Sequence, residues 1–239
     1  MSTAFDTSAP HPSSTDPGAP ARPSRPPGRG WVLAGIGAAV LGMVGGIASG
    51  LVNAVYDEDL AGDPAAITDR LSDQVPQILV FHTATMISCV LLVLFAAGLH
   101  RQLVRRTGPD SLVPGVAVAG LGLVAVAQLL GAGLTTEFAL TLAEDPDLLV
   151  PESAVFFNHW IGTIPWLWGG AGLAGLAMAV AAFRYGAYAR WIGWASVVLG
   201  GITALFLISP LQYMAGMTGP VWLVVVSLGL LRSRPERGA

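Results

Sequence analysis

Residues 29–59 read RGWVLAGIGAAVLGMVGGIASGLVNAVYDED: one arginine, a long run without charge, then three consecutive carboxylates. A bilayer core about 30 Å thick takes roughly 20 residues of apolar helix to cross, and positions 31–56 meet that length with charge only at the two ends. Five further apolar stretches follow, at 77–99, 112–134, 154–183, 191–211 and 217–231. The last is the shortest and carries Pro220 near its start.

The flanking charges alternate in sign. All 12 cationic side chains are arginine, and only Arg70 falls in the segments that carry the acids. Asp57, Glu58, Asp59, Asp63, Asp69 and Asp73 lie between the first and second stretches, and Glu137, Glu144, Asp145, Asp147 and Glu152 between the third and fourth. Arg22, Arg25, Arg29, Arg101, Arg105, Arg106, Arg184, Arg190, Arg232, Arg234 and Arg237 belong to the opposite side. Arginine is retained on the cytoplasmic face of membranes. The expected architecture is therefore an all-α polytopic bundle of six transmembrane spans in a plasma membrane, with both termini cytoplasmic.

Composition agrees. Hydrophobic residues make up 53% of the chain and charged ones 11%, against about 25% charged in ordinary soluble domains, so the natural solvent partner is a lipid bilayer. The net charge of −3 averages two opposed faces. No basic run interleaved with aromatics points to nucleic acid. A single cysteine, Cys89, excludes an intrachain disulfide and a cysteine-based zinc site.

Outside the spans, residues 1–30 are rich in Pro, Ser, Thr and Ala and read as a disordered cytoplasmic tail; a cleaved signal peptide fits the long, proline-rich leader poorly. Residues 31–231 form the transmembrane domain, and 232–239 a short basic cytoplasmic tail. In the first acidic loop, Asp63 is placed to cap a helix, Pro64 suits its first turn, and Ile67, Leu71 and Val75 recur every four residues. That pattern predicts an amphipathic helix on the outer surface, with Asp69, Arg70 and Asp73 facing water.

Lipid is as apolar as leucine, so membrane helices associate by close packing. Ala34, Ala38, Gly42, Gly46, Gly50 and Ala54 recur every four residues in the first span and form a smooth ridge. The ridge suits either another helix of the same chain or, through Ala38, Gly42, Gly46 and Gly50, a second copy or membrane partner. Pro165 in the fourth span removes a backbone donor and predicts a bend, which Gly169 and Gly170 make easier.

Ionisable groups are costly inside a bilayer and are candidates for function. No Asp, Glu or Arg lies in the middle of any span, which weighs against a carboxylate proton relay, a voltage sensor or a carrier with a central ion pair. A polar layer remains near the acidic side. His82, Thr85 and Cys89 share a helical face, with His82 about 8 Å inside the boundary; Gln128 lies about 24 Å from the arginine end of its span. His159 shares a face with Thr163 and Trp166, and Asn158 and Glu137 lie at span ends, as do Asn53, Tyr56, Gln212 and Tyr213. Three arrangements would use these residues. The first is a set of interhelical hydrogen bonds with an interfacial aromatic belt at Trp160 and Tyr213. The second is a ligand pocket among His82, Gln128 and His159, with Thr85, Asn158 and Glu137 nearby. The third is a haem or metal held by His82 and His159, although a histidine pair lacks further metal ligands. His100, beside Arg101, reads as an interfacial residue.

Motifs of soluble enzymes are absent: no H-E-x-x-H, G-x-S-x-G, G-x-x-x-x-G-K or C-x-x-C occurs. Ser49, in Gly-Ile-Ala-Ser-Gly, is accounted for by the small-residue ridge. No catalytic residue, cofactor or metal is expected from these patterns.

Two segments, Asp63-Pro-Ala-Ala-Ile-Thr-Asp-Arg-Leu71 and Gly186-Ala-Tyr-Ala-Arg-Trp-Ile-Gly-Trp194, together with the six-span layout, resemble a group of bacterial multi-pass membrane proteins of unknown function, many of them actinobacterial. The resemblance covers residues 31–231 and implies an all-helical integral membrane fold, with no catalytic residues to carry over. Taken together, the residues favour a structural, accessory or interaction component without catalytic activity, over a small transporter or channel-like module and over a membrane redox protein.

Overall fold

The computed structural model describes residues 28–232. The tails expected at 1–30 and 232–239 lie outside the described residues, except for 28–30 and Arg232. Six helical spans cross the molecule: Gly30–Gly50, Val75–Thr107, Val113–Glu144, Pro151–Arg184, Arg190–Ile208 and Gln212–Arg232. The fold is an all-helical six-span transmembrane bundle, and among the described residues there is no β-strand.

In chain order the α-helices are α1 (Gly30–Gly50), α2 (Pro64–Ser72), α3 (Val75–Thr107), α4 (Val113–Gly133), α5 (Thr135–Glu144), α6 (Pro151–Thr163), α7 (Gly169–Arg184), α8 (Arg190–Ala195), α9 (Gly201–Ile208) and α10 (Ala215–Arg232). Each span packs on the next, and α10 returns to α1, closing a ring. Inside the ring, Trp168, Trp222, Phe95 and Leu121 are buried among alanines of α1, α4 and α7. Lipid-facing positions such as Leu33, Ile47, Val93 and Leu129 are more than half exposed, which in a bilayer carries no hydrophobic penalty.

The bend expected at Pro165 is a full interruption. Span four leaves α-geometry at Thr163, forms a 3₁₀ turn over Ile164–Trp166, and resumes as α7 at Gly169. Non-helical backbone at membrane depth persists only where protein or water surrounds it. Here Pro165 and Trp168 are buried, and two indoles carry the break into the bundle. Trp168 lies against Gly42 and Gly219; Trp166 lies over Gly46, against Gly216, and its Nε1 donates to Ser49 Oγ at 2.9 Å. The small-residue ridge of α1 is thus filled from within the chain at Ala38, Gly42 and Gly46, whereas Gly50 faces open space. Gly120 and Gly170 let α4 and α7 touch backbone to backbone. Span five is irregular too, with a π-helical stretch over Ser196–Gly200, where Gly200 meets Gly175 and Ser196 Oγ accepts from Trp222 Nε1 at 3.1 Å.

A cap closes the acidic end. α2 forms as its sequence predicts, with Asp63 Oδ1 accepting from the Ala66 amide at 3.1 Å. Ile67 and Leu71 are buried, but they pack onto α5 and α6 rather than lying against lipid. Asp69, Arg70 and Asp73 face outward. α5 is an element the sequence reading did not isolate; Phe138 stacks on Phe157 with ring centroids 4.4 Å apart. Span one ends at Gly50, earlier than the expected 56, and the chain then runs through a 3₁₀ turn at Ala54–Tyr56. At the arginine end, Arg106 donates to the Ala187 carbonyl and stands 4.9 Å from the Tyr188 ring centroid. Burial pushes the Tyr188 phenol up to about 12, against the opposing pull of Arg106 and Arg105.

Two measurements follow from this packing. Gly42→Leu drives a side chain into the Trp168 indole and is expected to cost about 1–3 kcal/mol, whereas Gly50→Leu, in open space, stays within about 0.5 kcal/mol of wild type; thermal unfolding in detergent compares them. For Tyr188, both states keep the phenol proton below the ordinary value of 10.0, and the unfolded chain loses it first as pH rises. Wild type is therefore expected to lose stability between pH 10 and about 12 relative to Tyr188→Phe, read as diverging melting temperatures.

Candidate functional site

The residues expected to form a polar layer are distributed over several separate contacts. Gln128 is buried at mid-bundle, where its Nε2 donates to Ser88 Oγ at 3.0 Å. Ser88 Oγ in turn donates to the Ala38 carbonyl at 2.7 Å. The chain Gln128–Ser88–Ala38 ties α4 to α3 and α3 to α1. Cys89 Sγ donates to the Ala125 carbonyl at 3.4 Å, a second α3–α4 link. Thr85 faces α1, where a methyl on Gly45 would stand 2.5 Å from its Oγ1. The face shared by His82, Thr85 and Cys89 is therefore divided between two neighbouring helices.

His82 and His159 are placed differently. The His82 ring is half-buried and its Nδ1 is enclosed without a hydrogen-bond partner. His159 is exposed on α6, with its ring edge-on to Tyr56 at a centroid distance of 5.6 Å. α3 and α6 share no extended interface. Gln128 is bonded at Ser88, six residues or about 9 Å along α3 from His82. No hydrogen bond or ring contact joins the three side chains. Among the described residues, no group of three or more His, Cys, Asp or Glu is arranged to hold a metal. Glu137 is exposed in the first turn of α5.

Asn158 is wholly buried and bonded at both ends of its amide: Nδ2 donates to the Val52 carbonyl at 2.7 Å, and Oδ1 accepts from the Val55 amide at 2.9 Å. Those backbone groups belong to the segment where α1 has just ended, and Asn158 supplies the partners that helix geometry no longer provides. Gln74 does the same for Asn53: its Oε1 accepts from the Asn53 amide at 3.1 Å, and its Nε2 donates to Asn53 Oδ1 at 2.8 Å. Gln74, Ser88 and the Thr203–Thr218 hydroxyl pair, 2.7 Å apart, were not singled out from sequence. A lone small hydroxyl in an apolar run gives little signal. Ser88 could have been found from its position one turn beyond Thr85. Ser49 is a structural hydroxyl, donating to the Gly46 carbonyl at 2.7 Å while accepting from Trp166. Gln212 Nε2 donates to the Leu207 carbonyl at 3.1 Å, and Trp160 Nε1 to the Leu130 carbonyl at 3.2 Å.

Three of the grooves on the described part of the bundle surface bear on the site. One of ≈570 Å³ lies between α7 and α9, among Leu173, Val197, Leu205 and Ile208. Another, of ≈290 Å³, runs between α4 and α7, and a third of ≈180 Å³ sits by Leu167, Gly169 and Gln212 at the helix break. None of the three is lined by His82, Gln128 or His159. Comparison with protein-family models, with curated proteins and with solved structures yields no match.

The Gln128 arrangement makes an asymmetric forecast. Ser88→Ala leaves the buried Gln128 amide with no partner at either end, because its Oε1 is already unpaired; the expected cost is about 1–3 kcal/mol. Gln128→Leu removes the amide altogether and leaves Ser88 bonded to Ala38, so stability is expected to change by less than about 1 kcal/mol. Denaturation of both variants in one detergent gives the order.

Proposed function

We propose that this chain is a structural or accessory component of a bacterial plasma membrane, inserted with both termini in the cytoplasm, and that its polar side chains serve the fold. The observation that carries this reading is the Gln128–Ser88–Ala38 chain: the most deeply placed amide in the spans is engaged by the neighbouring helix. Asn158, Gln74 and Ser49 are likewise engaged by backbone and side chains of their own chain. The orientation rests on charge. Apart from Arg70, every described arginine lies at one end of the bundle, and the acids of both capped loops lie at the other. Retention of arginine on cytoplasmic faces supports that orientation. The resemblance carried by residues 63–71 and 186–194 supports a bacterial setting.

A transport role is the second reading, and one observation favours it. Span four is discontinuous at 164–168, as in many carriers whose binding sites use broken helices, and Gln128 Oε1 and His82 Nδ1 are buried without partners. In the structural reading those two atoms are tolerated defects; in the transport reading they are ligand contacts.

The variants His82→Ala and Gln128→Leu separate the two. The structural reading expects the double variant to complement deletion of the gene, returning growth and envelope integrity to within about twofold of wild type. Failure to complement by a protein that is still inserted and folded would overturn it. Topology is tested independently in cells carrying Cys89→Ser. A cysteine at position 58 is expected to react with an impermeant maleimide from outside, and one at 105 only after lysis; the reverse pattern would invert the proposed orientation.

A further inference from the structure

We infer that the groove between α4 and α7 holds an acyl chain of an anionic phospholipid from the leaflet at the arginine end, with the headgroup phosphate at Arg184. The groove is lined by Leu112, Val113 and Val116 on one side and by Leu176, Ala177 and Val180 on the other. Its lining is hydrocarbon throughout. Val180 and Arg184 are one helical turn apart on α7, so Arg184 follows the lining residues along the same helical face. From Leu173, also in the lining, to Arg184 is eleven residues or about 16 Å of helix, close to the depth of one leaflet of a roughly 30 Å core.

The mouth has the chemistry of a headgroup site. Arg184 is exposed and lies 6.0 Å from the Tyr185 ring centroid. The Tyr185 hydroxyl accepts from Ser111 Oγ at 3.3 Å, which joins the start of α4 to the end of α7 beside it. Leu112 is 82% exposed next to this polar cluster, an arrangement suited to lipid on one side and headgroups on the other. Among the described residues the one ion pair is Arg70–Asp73, at the opposite end, so no described carboxylate pairs with Arg184. Asp110 is the one acid among the described residues at the arginine end, and it is exposed and unpaired. A phosphodiester supplies the missing negative charge and, through its chain, covers the groove.

The inference depends on the membrane-spanning fold and on neither functional reading. Its test is native mass spectrometry of the full chain released from micelles containing phosphatidylglycerol or phosphatidylcholine with identical chains. Wild type is expected to retain one phosphatidylglycerol in preference to phosphatidylcholine. Arg184→Ala is expected to lower phosphatidylglycerol retention about fivefold, and Arg184→Lys to restore most of it. Val116→Trp, at an exposed lining position, is expected to lower retention of both lipids. Arg29→Ala, which removes the same charge from the start of α1, is expected to change neither. Retention unaffected by Arg184→Ala, or equally reduced by Arg29→Ala, would show a diffuse charge effect and overturn the site. Retention that survives Val116→Trp would overturn the groove as its seat.

Discussion

A polypeptide inside hydrocarbon must satisfy every backbone N–H and C=O from its own atoms, since each group left bare costs several kcal/mol. This chain strains that constraint in span four, where Pro165 cannot donate and five residues leave the α-helix. Local turns answer part of it, the Leu167 amide donating to the Ile164 carbonyl at 3.0 Å and the Trp168 amide to the Trp166 carbonyl at 2.8 Å, and the two indoles on either side of Leu167 cover the break. They turn inward, displace lipid from the break, and rest on the glycines of α1 and α10. The ridge on α1 and the interruption in span four are therefore complementary halves of one contact. Ridge positions without side chains give the indoles room, and the indoles give α1 the close partner that a smooth helix in lipid otherwise lacks. α10 is drawn in by the same wedge through Gly216 and Gly219, which closes the ring of spans.

Polar side chains inside the ring divide by what they bond. Trp166, Trp222, Ser88 and Gln128 join helix to helix. Such bonds in membranes contribute about 0.6 kcal/mol on average and seldom more than about 1.7, so they set register between spans more than they hold the bundle together. Dispersion between closely packed backbones, as where Gly120 meets Gly170 or Gly175 meets Gly200, does the larger share. Glycine is required at those points because a Cβ would lie against backbone, which cannot move aside as a flexible side chain can.

Spans and ridge were legible in the sequence because both depend on periodicity and charge, which are local properties. Asp63, Pro64, Ile67 and Leu71 announced α2 for the same reason. Pro165 announced a disturbance, yet its extent depended on Trp166 and Trp168 finding glycines more than a hundred residues away. α5 was missed because Phe138, Ala139 and Leu142 continue directly from the third span, with no turn signal between Leu134 and Thr135. The polar layer was legible as a list of residue types at similar depth, but depth does not fix azimuth. Gln128 faces Ser88, Thr85 faces Gly45, and His159 faces Tyr56. Which helix each side chain meets is a tertiary property that no single span encodes.

The concentration of polar residues at the acidic end has a physical cause in the backbone itself. Helical geometry stops at Gly50 and resumes at Pro64, apart from short 3₁₀ turns. The Val52 carbonyl and the Asn53 and Val55 amides take no helical partner, and the cap beside them is built on the buried Leu71, Ile78 and Phe157. Demand for hydrogen bonds is therefore high where the segment turns in beneath the cap. Asn158 and Gln74 meet it, since an amide side chain presents a donor and an acceptor together and so mimics the peptide group it replaces. A cluster of buried amides at one depth of a membrane protein looks like a binding site from the sequence. Where the adjoining backbone has left the helix, the same cluster is what that backbone requires to stay folded.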